Sequence, residues 1–126
     1  MIRQALGERE LDIMQELWKR GSATVGEVHQ GLVVEGLDLA YNTVQTMLNR
    51  LEEKGLVRRD AKERAHRYRP LLREQAAVGG AIRSLTSRFF EGSAAALAAR
   101  LVESELDDEE IERLRALIAK QRRKKE

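Results

Sequence analysis

Apolar residues recur at helical spacing in three consecutive stretches of the first half of the chain. The first predicts a helix from Glu8 to Arg20, and its buried stripe is Leu11, Met14, Leu17 and Trp18. A minimal strand at Ser22–Thr24 follows, and Thr24 with Glu27 forms a capping box for a second helix that ends near Glu35. The third helix begins near Ala40 and ends at Gly55, with its apolar face at Val44, Met47, Leu48 and Leu51.

After the third helix the pattern changes to that of a short ribbon. Leu56 and Val57 begin one strand, a charged tip covers about 60–65, and 66–69 form the return strand before Pro70. Tyr68, a residue that favours strands, is expected to pack inward. Three helices followed by a hairpin are the element order of a winged helix-turn-helix.

Beyond Pro70 the chain predicts three further helices. The first covers about 73–91, Ser93 caps the second, and Asp107 caps the third in a capping box closed by Glu110. A 56-residue tail is small for an independent core, so we expect a second copy of the chain to cover its apolar stripes. The predicted dimerisation residues are Ile82, Leu85, Phe89, Leu97, Leu101, Ile111, Leu114 and Leu117. The fold is therefore predicted to be mainly α, with a winged-helix domain at 1–70 and a helical dimerisation domain at 71–126.

The polar face of the third helix is unusual in its side chains. Its first two turns carry short amides and hydroxyls rather than the Glu, Lys and Arg of an ordinary solvated face. Such side chains can reach base edges and phosphates without holding the helix away from the groove. The residues of this face and its shoulders are Asn42, Thr43, Gln45, Thr46, Asn49, Arg50 and Glu53.

The net charge of +2 is unevenly distributed along the chain. Residues 54–69 hold seven basic and two acidic side chains, whereas residues 1–53 hold five basic and nine acidic ones. A concentration of positive charge directly after a candidate recognition helix favours a polyanion partner such as double-stranded DNA, although a solvated basic loop has the same composition.

Other functional classes have little support. The chain has no cysteine, and its two histidines, His29 and His66, belong to no catalytic or metal-binding motif, so we expect no enzyme activity, no metal and no cofactor. No apolar run approaches the roughly 20 residues that span a bilayer, so a cytoplasmic protein is expected. Two alternatives keep the fold: a winged helix used for protein contacts, and a regulator controlled by a small-molecule effector.

These motifs resemble the penicillinase repressor family (BlaI/MecI type) over nearly the whole chain. The matching segments are LGERELDIMQELW, TVGEV, AYNTVQTMLNRLEEKGLVRR, RYRP, FFEGS and LDDEEIERLRALI. The resemblance implies a homodimeric winged-helix repressor on a palindromic operator. In members with known regulation, a membrane sensor-peptidase leads to cleavage in the dimerisation part, and the repressor leaves DNA.

The resemblance also implies roles for individual residues. The family's DNA contacts correspond to Asn42, Thr43, Gln45, Thr46 and Arg50, with Arg64 and Arg67 as wing residues on the backbone. Position 42 is often basic in resistance-linked members and is Asn here, so the resemblance does not carry over the operator sequence. The Asn-Phe bond that those members cut corresponds to Arg100-Leu101. A copper-responsive branch senses metal through C-terminal cysteines, which this chain lacks.

Overall fold

The computed structural model describes residues 6–62 and 64–125, which form two compact units, one ending at Ala81 and one beginning at Ile82. Glu63, counted above among the wing charges, lies outside the described residues. The elements are, in order, α1 (Glu8–Arg20), β1 (Ala23–Thr24), α2 (Val25–Val34), α3 (Tyr41–Glu53), β2 (Val57–Asp60), β3 (Arg67–Pro70), α4 (Glu74–Phe89), α5 (Ala94–Ser104) and α6 (Asp108–Lys125). This order confirms the mainly helical winged helix-turn-helix followed by further helices.

Two of the four residues in the buried stripe of α1 differ from those predicted. Ile13, which the prediction left out, is fully buried, while Leu11 is 37% exposed. The stripe follows Glu10, Ile13, Met14 and Leu17, the regular i, i+3, i+4, i+7 face. The expectation for Leu11 was therefore wrong, because the first position of that face is occupied by a charged residue that the hydrophobic pattern does not reveal.

Capping signals in the sequence are confirmed at three helices. The Thr24 hydroxyl accepts from Glu27 N, and Thr24 N donates to the Glu27 carboxylate at the start of α2. The Ser93 hydroxyl accepts from Ala96 N at the start of α5. Asp107 and Glu110 form the reciprocal pair at the start of α6. These bonds satisfy backbone donors that a helix start leaves without partners.

The wing is a three-stranded antiparallel sheet in the order β1-β3-β2. Ala23 of β1 lies opposite Tyr68 of β3, and Val57 of β2 lies opposite Pro70. The return strand therefore includes Pro70, which the prediction placed just outside it. Pro lacks a backbone N–H, and a strand end is a position where this donor is dispensable.

The core of the first unit lies between α1, α2, α3 and the sheet. It is aliphatic apart from Tyr68, whose side chain is only 1% exposed, so the inward packing predicted for this residue is confirmed. Leu72, beyond the last strand, is also buried in this core, and its carbonyl accepts a hydrogen bond from Trp18 Nε1 at 2.9 Å. The chain after Pro70 thus still contributes to the first unit.

The described part of the second unit has very little interior of its own. Thr86 is its one buried residue, and its hydroxyl donates to the Ile82 carbonyl at 2.6 Å. Among the predicted dimerisation residues, Leu97, Ile111 and Leu114 are half-buried. The others are exposed: Ile82, Leu85, Phe89, Leu101 and Leu117. No helix among the described residues has both the length and the apolar character needed to cross a membrane.

Candidate nucleic-acid interface

The outer face of α3 forms an open depression on the surface of the first unit. Four of the predicted DNA-binding residues line it together with Met47, and all four are exposed: Asn42, Thr43, Thr46 and Arg50. These side chains offer amide and hydroxyl groups and one guanidinium at a single surface, which suits base edges and phosphates.

The opposite face of α3 holds the helix in place. Val44, Leu48 and Leu51 are completely buried in the core. At the end of the helix, Lys54 Nζ donates to Glu10 Oε2 at 2.7 Å and joins the end of α3 to the start of α1. Burial opposes ionisation of Glu10, but the Lys54 hydrogen bond and the Gly7 N–H together hold the pKa of Glu10 below its ordinary value.

Gln45 occupies a different environment from the other predicted contacts. It is half-buried, and its Nε2 donates to Asn49 Oδ1 and to the Tyr68 hydroxyl, both at 3.1 Å. Its two amide hydrogens are therefore used within the protein, and only its carbonyl oxygen is left for an outside partner. Sequence reasoning identified Gln45 but missed its partners, since Tyr68 lies 23 residues further along the chain.

The wing presents positive charge on its outer face. Arg58 and Arg69 lie directly opposite each other in the β2–β3 pair, and both are exposed. Like charges in such a pair are destabilising unless an anion neutralises them. Arg64, in the loop between the strands, is also exposed. The arrangement is suited to contacts with a phosphate backbone; Arg58 and Arg69 could have been singled out from the sequence once the hairpin register was known.

Arg67 lies at the base of the wing. Its guanidinium donates to the Ser22 hydroxyl and carbonyl, both at 3.3 Å, and lies 3.2 Å from Glu27 Oε1. The backbone hydrogen bond from Thr24, assisted by the charge of Arg67, lowers the pKa of Glu27. Arg67 thus joins β3 to the start of α2, and it is not among the residues that line the α3 depression.

The two residues of the predicted cleavage bond, Arg100 and Leu101, both lie within α5 and have exposed side chains. Within the described residues, no group of three or more His, Asp and Glu side chains is arranged to hold a metal ion.

Comparison with known proteins places this architecture in a family. Residues 6–120 match the model of the family described as Penicillinase repressor. The transcriptional regulator BlaI of Mycobacterium tuberculosis is 39% identical over 100 residues, which are 78% of this chain and 72% of that protein. The penicillinase repressor of Bacillus licheniformis is 27% identical over 121 residues, 95% of this chain and 94% of that protein.

Solved structures extend the likeness to the fold. The DNA-binding domain of the repressor BlaI aligns with a TM-score of 0.50 and 28% identity, over 60% of this chain and 93% of that domain. A MarR family protein from Bacillus stearothermophilus aligns with a TM-score of 0.51 and 25% identity, over 96% of this chain and 76% of that protein. The sequence resemblance is confirmed: the chain belongs to the penicillinase repressor family, whose members are transcriptional regulators and not enzymes.

Proposed function

We propose that this protein is a homodimeric, DNA-binding transcriptional repressor that recognises a palindromic operator. The observation that carries the proposal is the exposed polar surface of α3, where Asn42, Thr43, Thr46 and Arg50 line one depression. A cationic wing follows this helix directly in the chain. Neutral hydrogen-bonding groups flanked by positive charge match the division of a DNA duplex into base edges and phosphates.

The proposal gives each group of residues a separate task. Asn42, Thr43 and Thr46 read base edges in the major groove, because their side chains are short, exposed and able to donate and accept. Arg50 and Arg64 set the position of the protein through phosphates. Gln45 and Arg67, whose donors are engaged within the protein, support these groups and make fewer contacts to DNA of their own.

Dimerisation is the second part of the proposal. The second unit leaves Ile82, Leu85 and Phe89 of α4 exposed, at spacings of three and four residues that form one helix face. A monomer seldom leaves such a continuous apolar stripe in water, and a second copy of the same face would cover it. Two-fold symmetry would then place two α3 helices about one duplex turn apart, roughly 34 Å.

Relief of repression by a membrane sensor-peptidase stays a prediction from the family. It requires a peptidase that accepts the Arg100-Leu101 bond in α5 in place of the Asn-Phe bond of the resistance-linked members.

Selection of bound duplexes from a randomised DNA pool tests the proposal with the full-length chain. We expect enrichment of an inverted repeat with half-site centres about one helical turn apart. Thr43→Ala should relax the preference at one base pair of each half-site. The control is Ser87→Ala, which removes an exposed hydroxyl from α4 and should leave the enriched sequence unchanged. Failure to enrich any sequence would refute the proposed function. Enrichment of a single site without a repeat would refute the proposed dimer.

A further inference from the structure

Three side chains form a closed hydrogen-bonded triangle between α3 and the wing. Gln45 Nε2 donates to Asn49 Oδ1 and to the Tyr68 hydroxyl oxygen, each at 3.1 Å. The Tyr68 hydroxyl donates to Asn49 Oδ1 at 3.3 Å. Each of the three contacts pairs one donor with one acceptor, and together they join Gln45 and Asn49 of the helix to Tyr68 of β3.

The triangle couples the orientations of the two amides. Turning the Asn49 amide alone would bring its NH2 group against the Gln45 NH2 group, and turning Gln45 alone would bring two carbonyl oxygens together. The two amides can therefore turn only as a pair, and in the structure the pair has Asn49 Oδ1 as the acceptor. The Tyr68 hydroxyl joins both amides, and its ring is fixed because the side chain is only 1% exposed. With Asn49 Oδ1 accepting twice, its Nδ2 is left as a donor, and no described residue accepts a hydrogen bond from it.

Asn49 also lies on the surface proposed to face DNA. At about 100° per residue, Asn49 is only some 20° from Asn42 around the helix axis, and Thr46 lies about 40° on the other side of Asn42. Asn49 is exposed, whereas Gln45 beside it is half-buried. The donor of Asn49 is therefore on the same face as the residues that line the depression.

We propose that Asn49 is a further specificity-determining residue, which donates from Nδ2 to an acceptor on a base edge, and that Tyr68 is the positioning residue that couples the orientation of this amide to that of Gln45. The inference rests on the proposed function, because it assumes that α3 enters the major groove. Its chemical content is separate: a buried phenol on the wing couples the orientation of an amide on the recognition helix to that of the neighbouring amide.

Tyr68→Phe tests the assignment because it keeps the packed ring and removes only the hydroxyl. Asn49→Ala removes the donor, and the double variant removes both. Tyr41→Phe is the matched control, since Tyr41 is the other tyrosine of the chain, is 50% exposed and lies at the start of the same helix. Each variant is compared with wild type by the ratio of its affinities for the selected operator and for duplexes with single base-pair changes.

Asn49→Ala is expected to lose about three- to tenfold of the preference at one base pair per half-site, the worth of one hydrogen bond. Tyr68→Phe should reduce the preference at the same base pair, and the double variant should lose no more than Asn49→Ala alone. Tyr41→Phe should behave like wild type. Unchanged base preference in Tyr68→Phe, or losses that multiply in the double variant, would overturn the positioning role.

The side-chain amide resonances of the free protein give a readout that does not involve DNA. In Tyr68→Phe the 15N-bound NH2 signals of Gln45 and Asn49 should shift, and in Tyr41→Phe they should not. Unmoved signals would refute the triangle itself, whatever the DNA result. If Tyr68→Phe does not fold, Gln45→Met serves in its place, because it removes both Gln45 donors and should relax the same base pair. A wild-type chain that enriches no sequence would instead refute the proposed function.

Discussion

Ile13 and Leu11 are two apolar residues on one helix, yet their surroundings are opposite. Ile13 is fully buried among α1, α2 and α3, and Leu11 is 37% exposed. The hydrophobic pattern alone did not separate them, because the true face begins at Glu10, whose buried carboxylate is neutralised by Lys54. An ion pair between elements that are distant in sequence cannot be inferred from helical periodicity.

Substitution of these two residues should have very different effects on the free energy of unfolding. Ile13→Ala should lower it by about 2–5 kcal/mol, since it leaves a cavity in the core. Leu11→Ala should lower it by less than about 1 kcal/mol, because little buried contact is lost. Urea unfolding followed by circular dichroism measures both values. Equal losses in the two variants would contradict the observed register of α1.

Substitutions of Arg64 and Arg67 should also have different effects, although both residues were predicted to touch the DNA backbone. Arg64→Ala should weaken binding to all sequences alike and reduce the salt slope by about one. Arg67→Ala should instead lower stability, because it removes the bonds to Ser22 and the ion pair with Glu27. Binding titrations at several salt concentrations, paired with thermal unfolding, distinguish the two. An unchanged salt slope in Arg64→Ala would remove this residue from the wing contacts.

Local chemistry explains which residues the sequence could predict. The caps at Thr24, Ser93 and Asp107 are visible because their partners lie three residues away. The amide triangle with Tyr68 was not predicted, since it joins residues 19 and 23 positions apart. The one available signal was that a buried tyrosine requires a partner for its hydroxyl.

At the scale of elements, the ion pair of Glu10 and Lys54 connects α1 to the end of α3. The packing of α1 on α2 leaves no room for a side chain at Gly31, where a Cβ would clash with the Glu16 carboxylate. The Glu16 carboxylate is held there by Lys19 at 3.1 Å and by Arg20 at 3.5 Å. The position of α3 therefore depends on charged groups of α1 as well as on apolar burial.

The lowered pKa of Glu10 makes this connection dependent on pH. A carboxyl group whose pKa is lower in the folded state contributes stability above its unfolded value, near 4.5, and loses it as pH falls through the folded value. Glu10→Gln should therefore lower the free energy of unfolding by about 1–3 kcal/mol at neutral pH and flatten its acid dependence below pH 4.5. Glu8→Gln, on the exposed first turn of α1, is the control. If the free energy of unfolding of Glu10→Gln still falls steeply with acid, the acid dependence belongs to other carboxylates.

Element boundaries were predicted well where glycine or a cap marks them. Gly21 and Gly55 have positive φ values of 80° and 78°, and α1 and α3 end where the sequence indicates. The role of Leu72 was not predicted, because a residue just after Pro70 carries no periodic signal. Its burial and its hydrogen bond with Trp18 are evident only when the sheet and α1 are in place.

At the scale of the whole molecule, the exposed stripe on α4 should determine the oligomeric state. Phe89 is 74% exposed, so Phe89→Glu should not disturb a protomer core but should place a charge in the proposed interface. We expect sedimentation to shift toward the monomer, and operator affinity to fall with it. Ser87→Glu adds the same charge two residues away and should remain dimeric. A Phe89→Glu protein that sediments as the wild type would exclude this stripe from the interface.

The single tryptophan and both tyrosines, Trp18, Tyr41 and Tyr68, all belong to the first unit, and the second unit has only phenylalanines as aromatic residues. Intrinsic fluorescence from tryptophan and tyrosine therefore senses the first unit alone, whereas far-ultraviolet circular dichroism also senses α5 and α6. On dilution or heating, coincident optical transitions would indicate one cooperative melting event, and separated transitions would indicate two. The intrinsic optical signals of the chain therefore report, without an added dye, whether its two units unfold together.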